Sequence, residues 1–134
     1  MSAASRKGAT LTVVIPKRLW LTSNRHAVNR GHRAAIVREL HDEAFKAAYR
    51  VGLTKFGAGP VRASWTVRYP KGVRRDKGEA SNAQPTTKAL LDGLVPHWLA
   101  DDGPLIVAAE TFTRGDNLDR ASDHEVTLTL EEVA

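Results

Sequence analysis

The sequence predicts an α+β fold in the order β-α-β-α-β-β, a mixed four-stranded sheet with two helices packed on one face. Three observations lead to it. Residues 61–69 and 124–133 alternate apolar and polar side chains with period two. Residues 33–51 and 85–97 repeat apolar side chains at helical spacing. The segments between are rich in proline, glycine and charge.

Residues 10–15, "TLTVVI", are β-branched and apolar and read as a buried strand that Pro16 ends. Residues 17–33 are polar, basic and turn-rich and read as a loop. Ile36, Leu40, Ala44, Ala47, Ala48 and Val51 then define an amphipathic helix closed by Gly52. In the next strand Val61, Ala63, Trp65, Val67 and Tyr69 share one face, with Arg62 and Arg68 on the other. The second helix is expected to be capped by Ser81 or Asn82, with Pro85 in its first turn and Pro96 disturbing its end. Residues 105–113, "LIVAAETFT", read as a third strand. In the last, "HEVTLTLEEV", Val126, Leu128 and Leu130 face inward. The final two strands are expected to pair as an antiparallel hairpin with a long loop. With both helices on one side, the other sheet face is left open for a partner or a dimer.

The 134 residues suggest a single domain over 1–134, with residues 1–9 as a flexible lead-in. With 42% hydrophobic residues the chain has enough apolar side chains for a core, and with no cysteine it has neither disulfides nor thiolate chemistry. No apolar run approaches the roughly 18–20 residues of a membrane span, and the N-terminal residues lack a signal-peptide pattern. No membrane partner is expected, and a cytoplasmic location is. The net charge of +5 is unevenly laid out: residues 1–38 hold eight basic residues and no acid, whereas 101–134 hold nine acids and two arginines. A basic half suits a polyanionic partner; chance segregation that mixes again in the fold is the plainer reading.

Chemistry is narrowed by exclusion. The five histidines form no zinc spacing and are expected at surface or loop positions; the serines form no GxSxG elbow, and the glycines form neither GxGxxG nor a P-loop. Carboxylates remain. Asp101 and Asp102 follow the second helix, Glu79 and Asn82 precede it, and Lys88 lies within it. Adjacent loop aspartates are ordinarily solvated, and Lys88 with Asp92 four residues on is ordinarily a surface pair. Taken together, oxygen ligands of this kind also suit Mg²⁺ bound beside a phosphate. Two basic loops offer backbone-phosphate contacts: Arg25, Arg30 and Arg33 in the first, and Lys71, Arg74, Arg75 and Lys77 in the second.

Four stretches give the chain a likeness to the RusA-like Holliday-junction resolvases, small endonucleases frequent in phages and prophages. "SNRHAVNRGHR" is similar to that family's opening loop, and "RRDKGEASN" to its basic loop leading into an acidic motif. "PTTKALLDGL" strongly resembles its lysine-bearing helix, and "LADDGPL" its paired-aspartate step into a strand. The likeness covers about residues 11–131. It implies a homodimer that binds four-way DNA junctions and nicks opposing strands with Mg²⁺ or Mn²⁺. By position it puts the catalytic lysine on Lys88, the paired aspartates on Asp101 and Asp102, the first upstream aspartate on Glu79 and the asparagine on Asn82. It implies Glu79, Asp101 and Asp102 as metal ligands, and Lys88, Asp102 and Glu79 as the catalytic set. The second upstream aspartate falls on Ser81, which supplies no negative charge, and Asp76 is an alternative to Glu79. Two other readings stay open: a junction-binding protein with weakened or no catalysis, and a small protein-interaction module.

Overall fold

In the computed structural model, which describes residues 7–23, 30–57, 59–74, 76–101 and 103–133, the predicted element order is found. Strand β1 is Gly8–Pro16, helix α1 Arg30–Arg50, strand β2 Val61–Arg68, helix α2 Gln84–Asp92, strand β3 Val107–Arg114 and strand β4 Asp123–Glu132. β1 begins inside the segment expected to be flexible.

The sheet order is β1-β4-β2-β3. β4 lies between β1 and β2 and is antiparallel to both, while β3 is parallel to β2 and forms an edge. The hairpin expected from the last two strands is therefore absent. A parallel neighbour needs a crossover, and the 3-10 turn Ala80–Ala83 with α2 supplies it between β2 and β3. The loop after β3 then carries the chain past β2 to the interior position. β1, β2 and β3 consequently run in one direction and end together.

Register sets the core. Leu11, Leu128, Trp65 and Phe112 form one cross-sheet row, and Val13, Val126, Val67 and Arg114 the next. These rows face Ile36, Leu40, Ala44, Leu90, Leu91 and Leu94 from the helical layer in a single cluster. The opposite face is polar: Thr10 pairs with Thr129, Thr12 with Thr127 at 3.0 Å, and Arg68 with Glu125 at 3.2 Å.

Two local expectations change. Neither Ser81 nor Asn82 caps α2: the chain enters it directly from the 3-10 turn, with Ala83 at the cap position. α2 also stops earlier than predicted. Pro96 has no N–H and its ring excludes the helical position of the carbonyl four residues back, so residues 93–98 continue as tight turns. Leu105 lies in the turn before β3 and is 87% exposed, so it does not belong to the strand.

The helices meet at Gly93, whose φ of −68° suits any residue. A Cβ there would lie 2.6 Å from the His41 carbonyl oxygen and 2.8 Å from its Cα, so only glycine lets α1 and α2 approach this closely. Gly93→Ala is expected to lower unfolding free energy by about 2 kcal/mol, read by urea titration, because backbone on both sides must shift. Gly57→Ala, with open space around it, is the matched control and should leave the midpoint near wild type.

Candidate functional site

The strand directions collect several features at one end of the sheet. There β1 passes into Lys17, β2 into Tyr69, β3 ends at Arg114 and β4 starts at Asp123. α1 finishes beside the start of β1, where Lys7 Nζ donates to the carbonyls of Thr54 and Lys55, so its first turn points toward this same end. Arg30 and Arg33 of that turn, and Lys71, Arg74 and Lys77 of the loop after β2, are in described segments; Arg25 and Arg75 lie outside the described residues.

The loop after β2 is pinned. Arg114 Nε donates to the carbonyls of Lys77 at 3.3 Å and Gly78 at 3.1 Å, Asn117 Nδ2 donates to the Val73 carbonyl at 2.6 Å, and the Lys71 amide donates to Arg120 at 2.7 Å. The Tyr69 hydroxyl donates to the Glu79 carbonyl at 2.8 Å. Burial pushes the Tyr69 hydroxyl above its usual pKa; Arg114 opposes this shift and the Glu79 carboxylate adds to it. Tyr69 therefore stays protonated and keeps its donor. Gly78 combines a φ of +67° with a virtual Cβ only 2.9 Å from the Tyr69 ring, so the loop can lie on that ring only with glycine there.

Among the residues singled out from sequence, Glu79 stands just before the 3-10 turn and Asn82 within it; this turn packs over β2 and β3. Lys88 lies on the exposed face of α2 and forms an ion pair with Asp92 at 3.3 Å, which is the surface pair that their spacing predicts. An exposed pair of this kind contributes only about 0.3–0.5 kcal/mol. Asp76 is engaged by Arg74 at 2.8 Å. Asp101 lies in the segment that turns into β3 through Gly103, whose carbonyl accepts from the Ile106 and Val107 amides. Asp102 lies outside the described residues. β2 and β3 are parallel neighbours, so the segment with Glu79 leaves the pair at its carboxyl end, whereas the segment that follows Asp101 enters it at the opposite, amino end. Among the described residues, no three His, Asp or Glu side chains are grouped closely enough to share a metal ion.

Three residues were not singled out from the sequence. Glu110 sits on the helical side of β3 and accepts from Trp65 Nε1 at 2.8 Å. Arg114, two registers beyond Phe112, is the clamp described above. His124 was expected at the surface or in a loop, yet it is 7% exposed and sits at an inward position of β4. It stacks on Trp20 with ring centroids 3.8 Å apart and meets the Tyr69 ring at 5.2 Å. Period two gave the clue, since His124 heads the series Val126, Leu128, Leu130. No protein-family model and no curated protein matches the chain by sequence.

Burial, reinforced by Lys17 and partly opposed by Asp123, pushes the His124 pKa down to about 4 from 6.5. Between these values the unfolded chain binds a proton that the folded chain does not, so stability falls as pH drops through this window and is flat above it. The expected slope is about 1 kcal/mol per pH unit between pH 6 and 4.5, measured by urea unfolding, and His124→Phe should remove it.

Proposed function

We propose that this chain is a metal-dependent, structure-selective endodeoxyribonuclease that nicks four-way DNA junctions, in the manner implied by its likeness to RusA-like resolvases. The observation that carries this reading is the crossover from β2 to β3. One connection holds Glu79, Asn82, Lys88 and Asp101, leads through Asp102 into the edge strand, and starts from a pinned basic loop.

By donor type the set suits a hard divalent cation: Glu79, Asp101 and Asp102 offer carboxylate oxygens and Asn82 an amide oxygen, and the chain has no cysteine thiolate. Mg²⁺ or Mn²⁺ bound there would polarise a phosphodiester and activate water. Lys88 places an ammonium on the exposed face of α2, oriented by Asp92, to offset charge on the phosphate under attack. Lys71, Arg74, Lys77, Arg30 and Arg33 hold the DNA backbone, joined by Arg25 and Arg75. In a homodimer two such sites would cut opposing strands. No described helix is long and apolar enough to cross a membrane.

Nicking of a four-way junction in Mg²⁺ or Mn²⁺, abolished by EDTA, is the expected outcome. Asp102→Asn and Lys88→Ala should each lower it about 10²-fold or more. Of Glu79→Gln and Asp76→Asn, the one with the larger loss marks the upstream carboxylate, since the exposed Arg74–Asp76 pair opens at little cost. Equal nicking by wild type and Asp102→Asn would overturn the site. Tight junction binding without nicking would identify a non-catalytic binder.

Backbone contacts make a separate expectation. Removing Lys71, Arg74 and Lys77 together should flatten the salt dependence of junction binding by about two to three units of logarithmic slope, measured by fluorescence anisotropy between 50 and 200 mM salt.

A further inference from the structure

The end of the sheet where β1, β2 and β3 finish holds a cleft of about 500 Å³, lined by Lys17, Tyr69, Pro70, Lys71, Gly72, Val73, Gly78, Ala121 and His124. Its size suits a small organic ligand, and it lies beyond the carboxyl ends of β1 and β2. Tyr69 and His124 lie in its lining as members of an aromatic cluster with Trp20, with Tyr69 and Trp20 centroids 5.8 Å apart. Pro70, Val73 and Ala121 are apolar, and the two charged side chains in the lining are the cations of Lys17 and Lys71. His124 Nδ1 is buried with no hydrogen-bond partner among the described residues.

The cleft is preformed. Its two walls are tied by the Lys71 amide to Arg120 at 2.7 Å, by Asn117 to Val73, by the Lys17 amide to Ser122 at 3.2 Å and by the Leu118 amide to Tyr69 at 2.8 Å. It also adjoins Glu79, whose carbonyl takes the Tyr69 hydroxyl.

From this lining we propose that the cleft binds a nucleotide, with the planar base against the apolar wall of Pro70, Val73 and Ala121 and the phosphate at Lys17 and Lys71. A purely anionic ligand would not use the apolar walls, and a neutral apolar one would leave both lysines without a counter-charge. The site takes either a free nucleotide or an unstacked nucleotide of a DNA strand, and the second source rests on the nuclease reading above. Bases held outside a duplex are recognised by contact with apolar side chains together with flanking phosphate contacts.

The test needs neither metal nor cleavage. Wild-type protein is titrated with dAMP and dTMP, with inorganic phosphate, and with a single-stranded oligonucleotide carrying 2-aminopurine, followed by amide chemical shifts and by fluorescence. Saturable shifts at Tyr69 and His124 with the mononucleotides are expected, and phosphate alone should bind at least about tenfold more weakly. Lys17→Ala with Lys71→Ala should lower nucleotide affinity by about tenfold or more. Ala121→Trp, at an exposed position that leaves the core untouched, should block the cleft and abolish binding. The proposal is overturned if phosphate binds as tightly as nucleotide, or if Ala121→Trp binds like wild type while folded by circular dichroism. Tighter binding of the oligonucleotide than of mononucleotides assigns the site to DNA, and the reverse assigns it to a free nucleotide. A chain that binds nucleotide but never nicks a junction keeps this site and loses the nuclease reading; one that nicks junctions and ignores nucleotide does the opposite.

Discussion

Arg114 ends β3 on the helical side of the sheet and donates to the carbonyls of Lys77, Gly78 and Gly115 and to Asn117 Oδ1. Its guanidinium also lies 5.0 Å from the centre of the Tyr69 ring. A planar fork with five donors can satisfy this many acceptors at once, where a lysine would hold them loosely. The contacts join three separate parts of the chain: the edge strand, the basic loop after β2, and the segment leading to β4. Tyr69 in turn holds the Glu79 carbonyl, so one side chain at the sheet edge helps to set the position of Glu79, the shape of the loop after β2 and a wall of the cleft.

The same end of the molecule shows how polar groups are kept in a small protein without leaving the core. The edge strand carries Glu110 and Arg114 on its inner side, where a central strand would carry aliphatic residues. Glu110 is tied to Trp65 and Arg114 to backbone carbonyls. β4, in the middle, places His124, Val126, Leu128 and Leu130 inward instead, each buried. The histidine is admitted there because it remains neutral and stacks on Trp20. A neutral imidazole and a protonated phenol leave the lysines to set the charge of the cleft.

Helical and strand periodicities were legible because they depend on local spacing: Ile36, Leu40, Ala44 and Ala48 face the core as their spacing requires, as do Val61, Ala63, Trp65 and Val67. The strict alternation of β4 carried more than was read from it, since a strand flanked on both sides keeps a full apolar face and an edge strand such as β3 does not. Pairing β3 with β4 as a hairpin followed from their adjacency in sequence, which cannot show that a strand skips a position. On the candidate site, the spacing of Lys88 and Asp92 correctly foretold an ion pair. Nothing local could announce that Arg114 reaches back to residues 77 and 78, because that contact exists only once β3 lies beside β2.

Spacing, composition and punctuation thus settled the α+β class, the order of elements, the amphipathic faces and the absence of thiol chemistry, since each is a property of neighbouring residues. The order β1-β4-β2-β3, the burial of His124 among aromatic rings, the clamp of Arg114 and the cleft at the strand ends were decided by tertiary structure. They join residues 36 to 104 positions apart in the chain, as Arg114 to Gly78 and His124 to Trp20 do. Such contacts are set by which strands lie side by side, and strand order answers to the burial of the whole sheet rather than to any one segment.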